Sequence, residues 1–198
     1  MKQAVIFILD EYADWEASYI ASRLNVNPEW QMKIASLQQG VCTSIGGFRT
    51  LVDCDLDEIS QENVDLFILI GGNSWNIENK KLNNLIHQLL EQNILVAAIC
   101  GAVDFLARHG HLKGYKHTGN ALDIWKDYQG YKNHNDFLFQ QVVVDKNLIT
   151  ANGTAAIEFS ENILKLLNFS AKNEIEKEHR LFSIGYYAYV EKYGNPFA

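Results

Sequence analysis

The chain has 198 residues, of which 47% are hydrophobic and 21% are charged, a composition that excludes a disordered chain, a collagen and a coiled coil. The length suits one domain, which we expect to span residues 1–198 with a C-terminal helical extension at 170–198. The 17 Lys and Arg residues are outnumbered by 24 Asp and Glu residues, and the net charge of −7 predicts no nucleic-acid partner and no binding to an anionic membrane.

Strand-like and helix-like patterns alternate along the chain. An apolar stretch at 4–9 predicts a strand covered on both faces, and Asp14 is the predicted N-cap of a helix that runs to about Asn25. The same reasoning predicts further strands at 32–36, 65–70, 94–99, 140–144 and 148–151, and a β-hairpin within 40–55. Helices are expected around 82–90, at 100–109, at 156–167 and, rich in charges and aromatics, at 172–192.

This alternation indicates βαβ units with right-handed crossovers. We therefore predict an α/β fold, a doubly wound and mostly parallel sheet flanked by helices, of the flavodoxin-like type. Ligands in such folds bind at the carboxyl ends of the strands. Residues that directly follow strands are thus the candidates for chemistry.

The sequence shows no pattern for secretion or membrane insertion. The opening apolar stretch is interrupted by Asp10 and Glu11 and has no small-residue cleavage site. The longest apolar run, at 66–70, is far shorter than the ~20 residues of a membrane span. The 3 cysteines are odd in number and lack a CxxC pair, which argues against disulfides and against a metal site. We expect a cytoplasmic protein without metal or cofactor.

Cys100 lies at the junction of a predicted strand and a predicted helix. Ala98 and Ala102, two positions away on either side, leave room for a tight turn that projects the sulfur outward, as in a nucleophile elbow. The N-terminus of the following helix favours a thiolate, so we expect a depressed pKa for Cys100. The alternative is an inert, buried thiol that only fills space in the core.

Two further strand ends carry candidate groups. A two-glycine turn ends one strand, and the amides of Gly72 and Gly101 are candidates for an oxyanion hole beside Cys100, although such turns also end many ordinary strands. Glu16 lies in the first turn of the first helix. A carboxylate there is stabilised by the helix dipole and is commonly a solvated acid without further function.

Four short segments at strand ends form an ordered set. Along the chain they are Asp14-Trp15-Glu16-Ala17, Ile70-Gly71-Gly72-Asn73, Ala98-Ile99-Cys100-Gly101-Ala102 and Leu148-Ile149-Thr150-Ala151-Asn152-Gly153-Thr154. Together they resemble the ThiJ/PfpI superfamily, a branch of the class I glutamine amidotransferase-like fold that includes the parkinsonism-associated deglycase. The resemblance covers about residues 3–169, and the set is far more specific than any one member.

The resemblance implies that Cys100 is the functional residue and that Glu16 shares a proton with it. It also implies that Gly72 and Gly101 are the oxyanion donors. A buried, protonated carboxyl can donate a hydrogen bond to a thiolate without placing two negative charges together. Members of the family usually pair, and the aromatic residues after Ala171 exceed what a domain complete near residue 169 requires, so we expect a homodimer.

The sequence departs from the family pattern in its histidines. Members often carry a histidine directly after the nucleophile, where this chain has Gly101, or about twenty residues further on, where it has Asn120. A Cys/His dyad is therefore in doubt. The candidate residues for the lining of the site are Asn73, His117, Asn120, His134 and Trp15.

Two classes of function follow from a reactive Cys100. One is an enzyme, a cysteine-dependent hydrolase or lyase that attacks a small carbonyl or amide substrate, and activities from protease and amidase to glyoxalase and deglycase remain open. The missing histidine weakens the protease interpretation most. The other is a non-enzymatic stress sensor or chaperone in which Cys100 is oxidised. An amidotransferase-like subunit would require a synthase partner that nothing in the sequence identifies.

Overall fold

A seven-stranded sheet forms the centre of the protein in the computed structural model, which describes residues 1–197. The strands are β1 Lys2–Phe7, β2 Trp30–Ser36, β3 Gly40–Thr43, β4 Arg49–Val52, β5 Cys54–Asp55, β6 Leu66–Leu69, β7 Leu95–Ile99, β8 Val142–Asp145 and β9 Leu148–Ala151. The sheet has the order β5-β2-β1-β6-β7-β9-β8, and its strands are parallel except for β8, which runs antiparallel to β9. β3 and β4 form a separate antiparallel hairpin.

Helices connect the strands and cover the sheet. They are α1 Asp14–Asn25, α2 Lys80–Glu91, α3 Gly101–Arg108, α4 Ala156–Leu166, α5 Lys172–Ile184 and α6 Tyr186–Tyr193, with short 3-10 turns at Leu122–Trp125 and His134–Asp136. None of the helices within residues 1–197 is long and apolar enough to cross a membrane.

Side chains of the sheet alternate between two hydrophobic layers. In β1, Val5 and Phe7 belong to one layer and Ala4 and Ile6 to the other, as the two-residue period of a strand requires. α2 and α3 cover the first layer, and α1 and α4 cover the second. The sheet is therefore buried on both faces, and the predicted doubly wound α/β fold is confirmed.

The winding direction reverses between β1 and β6. The chain passes from β1 outward to β2 on one side, and from β6 outward to β7 on the other. Such a reversal opens a crevice at the carboxyl ends of the two central strands, which is where α/β proteins bind ligands. The turns after β1, β6 and β7 all reach this crevice.

Two local predictions at the start of the chain differ from the structure. The N-cap of α1 is Ala13, because the Asp14 carboxylate instead accepts the N–H of Gly46 in the hairpin turn at 2.9 Å. The predicted hairpin at 40–55 is shorter than expected, because β5 leaves it and pairs with β2 in the main sheet. In both cases a tertiary contact replaces the local pairing that the sequence pattern predicts.

The helix predicted at 172–192 is two helices. Gly185 separates α5 from α6 and has a φ of 83°, a conformation that side-chain-bearing residues rarely adopt. α5 packs on α4 through Ile175, which is buried. The C-terminal segment thus changes direction at Gly185 and does not form one continuous helix.

Candidate active site

Two glycines enclose a thiol and a carboxyl at the carboxyl edge of the sheet. A Cβ atom placed on Gly71, after β6, would lie 2.5 Å from Cys100 Cβ and 2.6 Å from Glu16 Oε2. A Cβ atom on Gly153, after β9, would lie 2.9 Å from Cys100 Sγ and 3.1 Å from Glu16 Oε1. Both positions therefore require glycine, and four strand ends bring these groups together.

Cys100 occupies a sharp strand-to-helix turn. Its φ of 58° and ψ of −128° lie in a region that L-residues rarely adopt and that costs roughly 1–3 kcal/mol. Its N–H still pairs with the Ala151 carbonyl at 3.0 Å, so the strand pairing continues up to the turn. The side chain is partly exposed and lies at the N-terminus of α3. The backbone is thus strained at Cys100, and the role of this turn as a nucleophile elbow stays a prediction.

Glu16 is a buried acid, not a solvated one. It is 1% exposed, and its Oε2 accepts the N–H of Gly71 at 2.9 Å. Its Oε1 lies on the Cys100 side and receives no N–H or O–H from the part of the chain that the structure describes. Burial raises the pKa of the Glu16 carboxyl to about 7, although hydrogen bonds with Cys100 and Gly71 act in the opposite direction.

The pKa of Cys100 depends on the proton of Glu16. Burial raises the pKa of the thiol, and the charge of an ionised Glu16 raises it further. Hydrogen bonds from Asn120 and from the Gly101 N–H lower it. The expectation of a depressed pKa for Cys100 is therefore wrong, because burial of the thiol and the charge of Glu16 outweigh the effect of the helix N-terminus. When Glu16 holds the proton, the repulsion disappears.

Asn120 binds the sulfur from the open side of the site. Its Nδ2 lies 3.2 Å from Cys100 Sγ, and its Oδ1 accepts the N–H of Gly153 at 2.8 Å. The side chain of Asn120 is exposed, whereas Glu16 is enclosed. Of the predicted lining residues, Asn120 is the one that the structure brings to the thiol.

The two candidate oxyanion donors are close neighbours. Gly101 begins α3, and its N–H acts as a donor toward the Cys100 side chain. A Cβ atom on Gly101 would lie 2.7 Å from the Gly72 carbonyl oxygen, so the two turns touch. Gly72 itself has a φ of 143° and lies against the Glu11 backbone. Their role as an oxyanion hole stays a prediction.

The two candidate histidines contact Tyr131. His117 is fully buried, with Nε2 bonded to the Tyr131 hydroxyl at 2.8 Å and Nδ1 to the Tyr115 carbonyl at 2.8 Å. Its ring lies in an aromatic cluster with Trp125, Tyr131 and Phe137. His134 is exposed and packs edge-on against the outer side of Tyr131. The assignment of His117 to the site lining is therefore corrected, whereas the assignment of His134 to the site lining stays a prediction.

Trp15 lies in the first turn of the α1 helix, and Asn73 lies in the turn after β6. Trp15 precedes Glu16 and is 48% exposed. Asn73 is exposed, and its N–H bonds to the Glu11 carbonyl at 3.1 Å. Contact of either side chain with a substrate stays a prediction.

A cavity of about 290 Å³ adjoins Asn120. Its lining is uncharged and combines side-chain amides with aromatic rings, among them Asn152, Gln140, Gln141, Phe137 and Phe139. A larger depression of about 840 Å³ lies where the strands begin, and none of its lining residues is a Cys, Ser or His. Among the residues that the structure describes, no group of three or more His, Cys, Asp or Glu side chains is placed to hold a metal ion.

Sequence reasoning did not assign the roles of Gly71 and Gly153. The Gly71 amide bonds to Glu16, and Gly153 both packs on Cys100 and orients Asn120. Each of these glycines follows closely after a buried strand, which is the signal that points to them. The residues that these glycines contact are distant in sequence, so the sequence alone does not reveal the contacts.

The sequence model of the DJ-1/PfpI family matches residues 2–166. The chain belongs to the DJ-1/PfpI family. A relative from Bacillus subtilis (strain 168), named "Uncharacterized protease YdeA", is 47% identical over 197 residues, which cover 100% of this chain and 99% of the relative. "Deglycase TK1284" from Thermococcus kodakarensis is 29% identical over 75% of this chain and 89% of its own length.

The fold agrees with solved DJ-1/PfpI structures. The ThiJ/PfpI family protein from Bacillus anthracis superposes with a TM-score of 0.89 at 32% identity, covering 96% of this chain and 94% of that one. The DJ-1/PfpI match contains Glu16, Cys100, Asn120 and Gly153, whereas α5 and α6 follow it. The whole thiol site therefore lies within the family region.

Proposed function

We propose that the protein is a cysteine-dependent hydrolase or lyase, with Cys100 as the nucleophile and a small carbonyl or amide compound as the substrate. The observation that carries this proposal is the contact of Cys100 with a buried Glu16 whose pKa is raised to about 7. A carboxyl with this pKa exchanges its proton near neutral pH, where general acid catalysis is most effective. The DJ-1/PfpI relatives named as protease and deglycase support the hydrolase class.

In the proposed first step, the Cys100 thiolate attacks the carbonyl carbon of the substrate. A C–S bond forms, the π electrons of C=O move to oxygen, and the amides of Gly72 and Gly101 stabilise the oxyanion. The proton that left the sulfur rests on Glu16 and returns to the adduct. The adduct is a hemithioacetal from an aldehyde, or a tetrahedral intermediate from an amide.

An aldehyde suits the site better than an amide. A leaving amine requires a proton donor on the open side of the sulfur. The open side carries Asn120, whose amide cannot transfer a proton, and Glu16 lies enclosed behind the sulfur. Addition to an aldehyde has no leaving group, so it avoids this requirement.

A second candidate function is an oxidative-stress sensor or chaperone without turnover. It is favoured by the partial exposure of Cys100, while Cys42 and Cys54 are buried. The thiolate would attack a peroxide, whose O–O bond breaks to give a sulfenic acid and the reduced hydroxyl product. A second peroxide would carry the sulfur to a sulfinic acid, which a proton on Glu16 stabilises.

Methylglyoxal without glutathione separates the two functions. The enzyme consumes many equivalents of the aldehyde per chain, and Cys100→Ser abolishes this consumption. Cys54→Ala, at a buried cysteine away from the site, retains it. A matched small amide, assayed in parallel, should react more slowly.

The sensor gives a different result in the same preparation. Peroxide then adds one or two oxygen atoms to Cys100, seen by mass spectrometry, and the aldehyde is not turned over. Equal consumption of methylglyoxal by wild type and Cys100→Ser would contradict the enzyme proposal.

A further inference from the structure

The side-chain amide of Asn120 has one orientation at the sulfur. The Gly153 N–H can only donate, and it lies 2.8 Å from one end of the Asn120 amide, which must therefore be the oxygen. The other end, Nδ2, then faces Cys100 Sγ at 3.2 Å. An N–H donor stabilises a thiolate more than a thiol. The turn after β9 thus sets the direction of a hydrogen-bond donor at the nucleophile.

We propose that Asn120 is a positioning residue for Cys100, which holds the thiolate with a fixed N–H donor and takes no part in proton transfer. This inference rests on the proposed role of Cys100 as a nucleophile. The two neighbours of the sulfur then have separate tasks: Glu16 exchanges the proton, and Asn120 holds the charge. Their surroundings fit these tasks, because Glu16 is enclosed and Asn120 is exposed.

The charged surroundings of the sulfur are simple. Glu16 approaches from α1, and within residues 1–197 it is the one carboxyl that acts on the Cys100 thiol. Asp104, on α3, is partnered by the indole N–H of Trp125 at 2.6 Å. The turn that carries Asn120 presents a side-chain N–H to the sulfur, and the Gly153 N–H donates to the oxygen of the same amide. A change of charge at position 120 therefore acts on Cys100 directly.

Asn120→Asp keeps the shape of the side chain and reverses one interaction. One carboxylate oxygen can still accept the Gly153 N–H, so the turn keeps its contact. The other oxygen replaces Nδ2 beside the sulfur and places a negative charge against the thiolate. Asn120→Ala removes both contacts. Asn135→Ala, at an exposed asparagine in a neighbouring turn, is the matched control.

The readout is the pH dependence of Cys100 alkylation by iodoacetamide, followed by mass spectrometry. We expect the midpoint to rise by about one unit in Asn120→Ala and by more in Asn120→Asp, since a charge-assisted hydrogen bond is lost in the first and replaced by repulsion in the second. Asn135→Ala should match wild type. If Asn120 only supports the turn, Asn120→Ala will match the wild-type midpoint, and the inference fails.

Turnover separates this inference from the proposed function. With methylglyoxal, both Asn120 variants should lose activity below the alkylation midpoint and regain part of it at higher pH, whereas Cys100→Ser stays inactive at every pH. Absence of turnover in wild type, combined with shifted alkylation midpoints, would refute the enzyme but keep the role of Asn120 at the thiolate. Circular dichroism and thermal melting confirm that each variant is folded.

Discussion

Cys100 and Glu16 share a buried contact in which two negative charges repel each other. Burial raises the pKa of both groups, and an ionised Glu16 raises that of Cys100 further. Near neutral pH, the pair therefore keeps one proton, and its location decides whether the sulfur is a nucleophile. Two predictions follow at this scale: the first rests on the proposal that Glu16 holds the proton beside a thiolate, and the second rests on the raised pKa of Glu16.

The first prediction concerns the reactivity of Cys100. Glu16→Leu removes the proposed donor, so the midpoint of Cys100 alkylation should rise by about one to two units, as expected for a lost charge-assisted hydrogen bond of roughly 1.5–3 kcal/mol. Glu16→Gln keeps a donor, so its midpoint should stay near that of wild type while turnover falls. If Glu16 is instead ionised beside a neutral thiol, Glu16→Leu will lower the midpoint.

The second prediction concerns stability. The pKa of Glu16 is raised from 4.5 in the unfolded chain to about 7 in the fold, so the folded state binds the proton more tightly. The resulting stabilisation is complete below pH 4.5 and is lost as the pH rises through about 7. As the pH rises from 4.5 to above 7, the free energy of unfolding of wild type should therefore fall by at most about 3 kcal/mol more than that of Glu16→Gln.

Urea denaturation of both proteins at pH 5 and pH 8 measures this difference. The change in wild type must exceed the change in Glu16→Gln for the prediction to hold. Parallel pH profiles of the two proteins would mean that Glu16 ionises in the fold as easily as in the unfolded chain.

At the scale of elements, α5 is attached to the core although it follows the family region. Ile175 is 2% exposed and packs into the layer beneath α4. Lys165 of α4 also binds Glu161 at 2.7 Å and Glu176 of α5 at 3.0 Å. We therefore expect α5 to unfold together with the sheet.

Ile175→Ala tests this attachment. Deleting a buried isoleucine side chain costs ~2–5 kcal/mol, and the urea midpoint should fall accordingly. Ile184→Ala, on the same helix but 40% exposed, is the matched control and should change stability far less. A loss of α5 helicity in Ile175→Ala without a shift of the main unfolding transition would show that the C-terminal segment unfolds independently.

At the scale of the whole molecule, many large apolar side chains remain exposed, including several in the C-terminal segment and in the hairpin. Tyr187 is 87% exposed in the C-terminal segment, together with Phe182 and Phe197, and Phe48 is 65% exposed at the tip of the hairpin. Exposed apolar patches of this kind often mark interfaces. We predict a homodimer that covers the C-terminal aromatic residues.

The mass in solution, measured by light scattering at micromolar concentration, tests this prediction. The expected mass is twice the 22.5 kDa of one chain. Tyr187→Ser combined with Phe182→Ser should weaken the dimer, whereas Phe48→Ser serves as the control on the hairpin. A wild-type mass near that of a single chain would contradict the prediction, and a monomer produced only by Phe48→Ser would move the interface to the hairpin.

The differences between expectation and structure at this site have one physical source. Asn120 and His117 lie three residues apart, yet Asn120 contacts the sulfur and His117 lies in an aromatic core. Which side chain of a loop points to a cleft depends on the surfaces packed against the loop, and no periodic pattern encodes this. The sign of the Cys100 pKa shift was missed for the same reason, since burial and the distance to Glu16 are properties of the assembled fold.

The sequence by itself determined the alternation of strands and helices, the doubly wound sheet and the position of Cys100 at a strand end, because hydrophobic periodicity and small residues at tight turns are local properties. It also placed Glu16 at the start of the first helix. Only the tertiary structure decided that Glu16 is buried against Cys100, that Gly71 and Gly153 enclose the pair and that Asn120 binds the sulfur. These contacts join four strand ends far apart in the chain, so they exist only once strand order and packing bring those ends to one edge of the sheet.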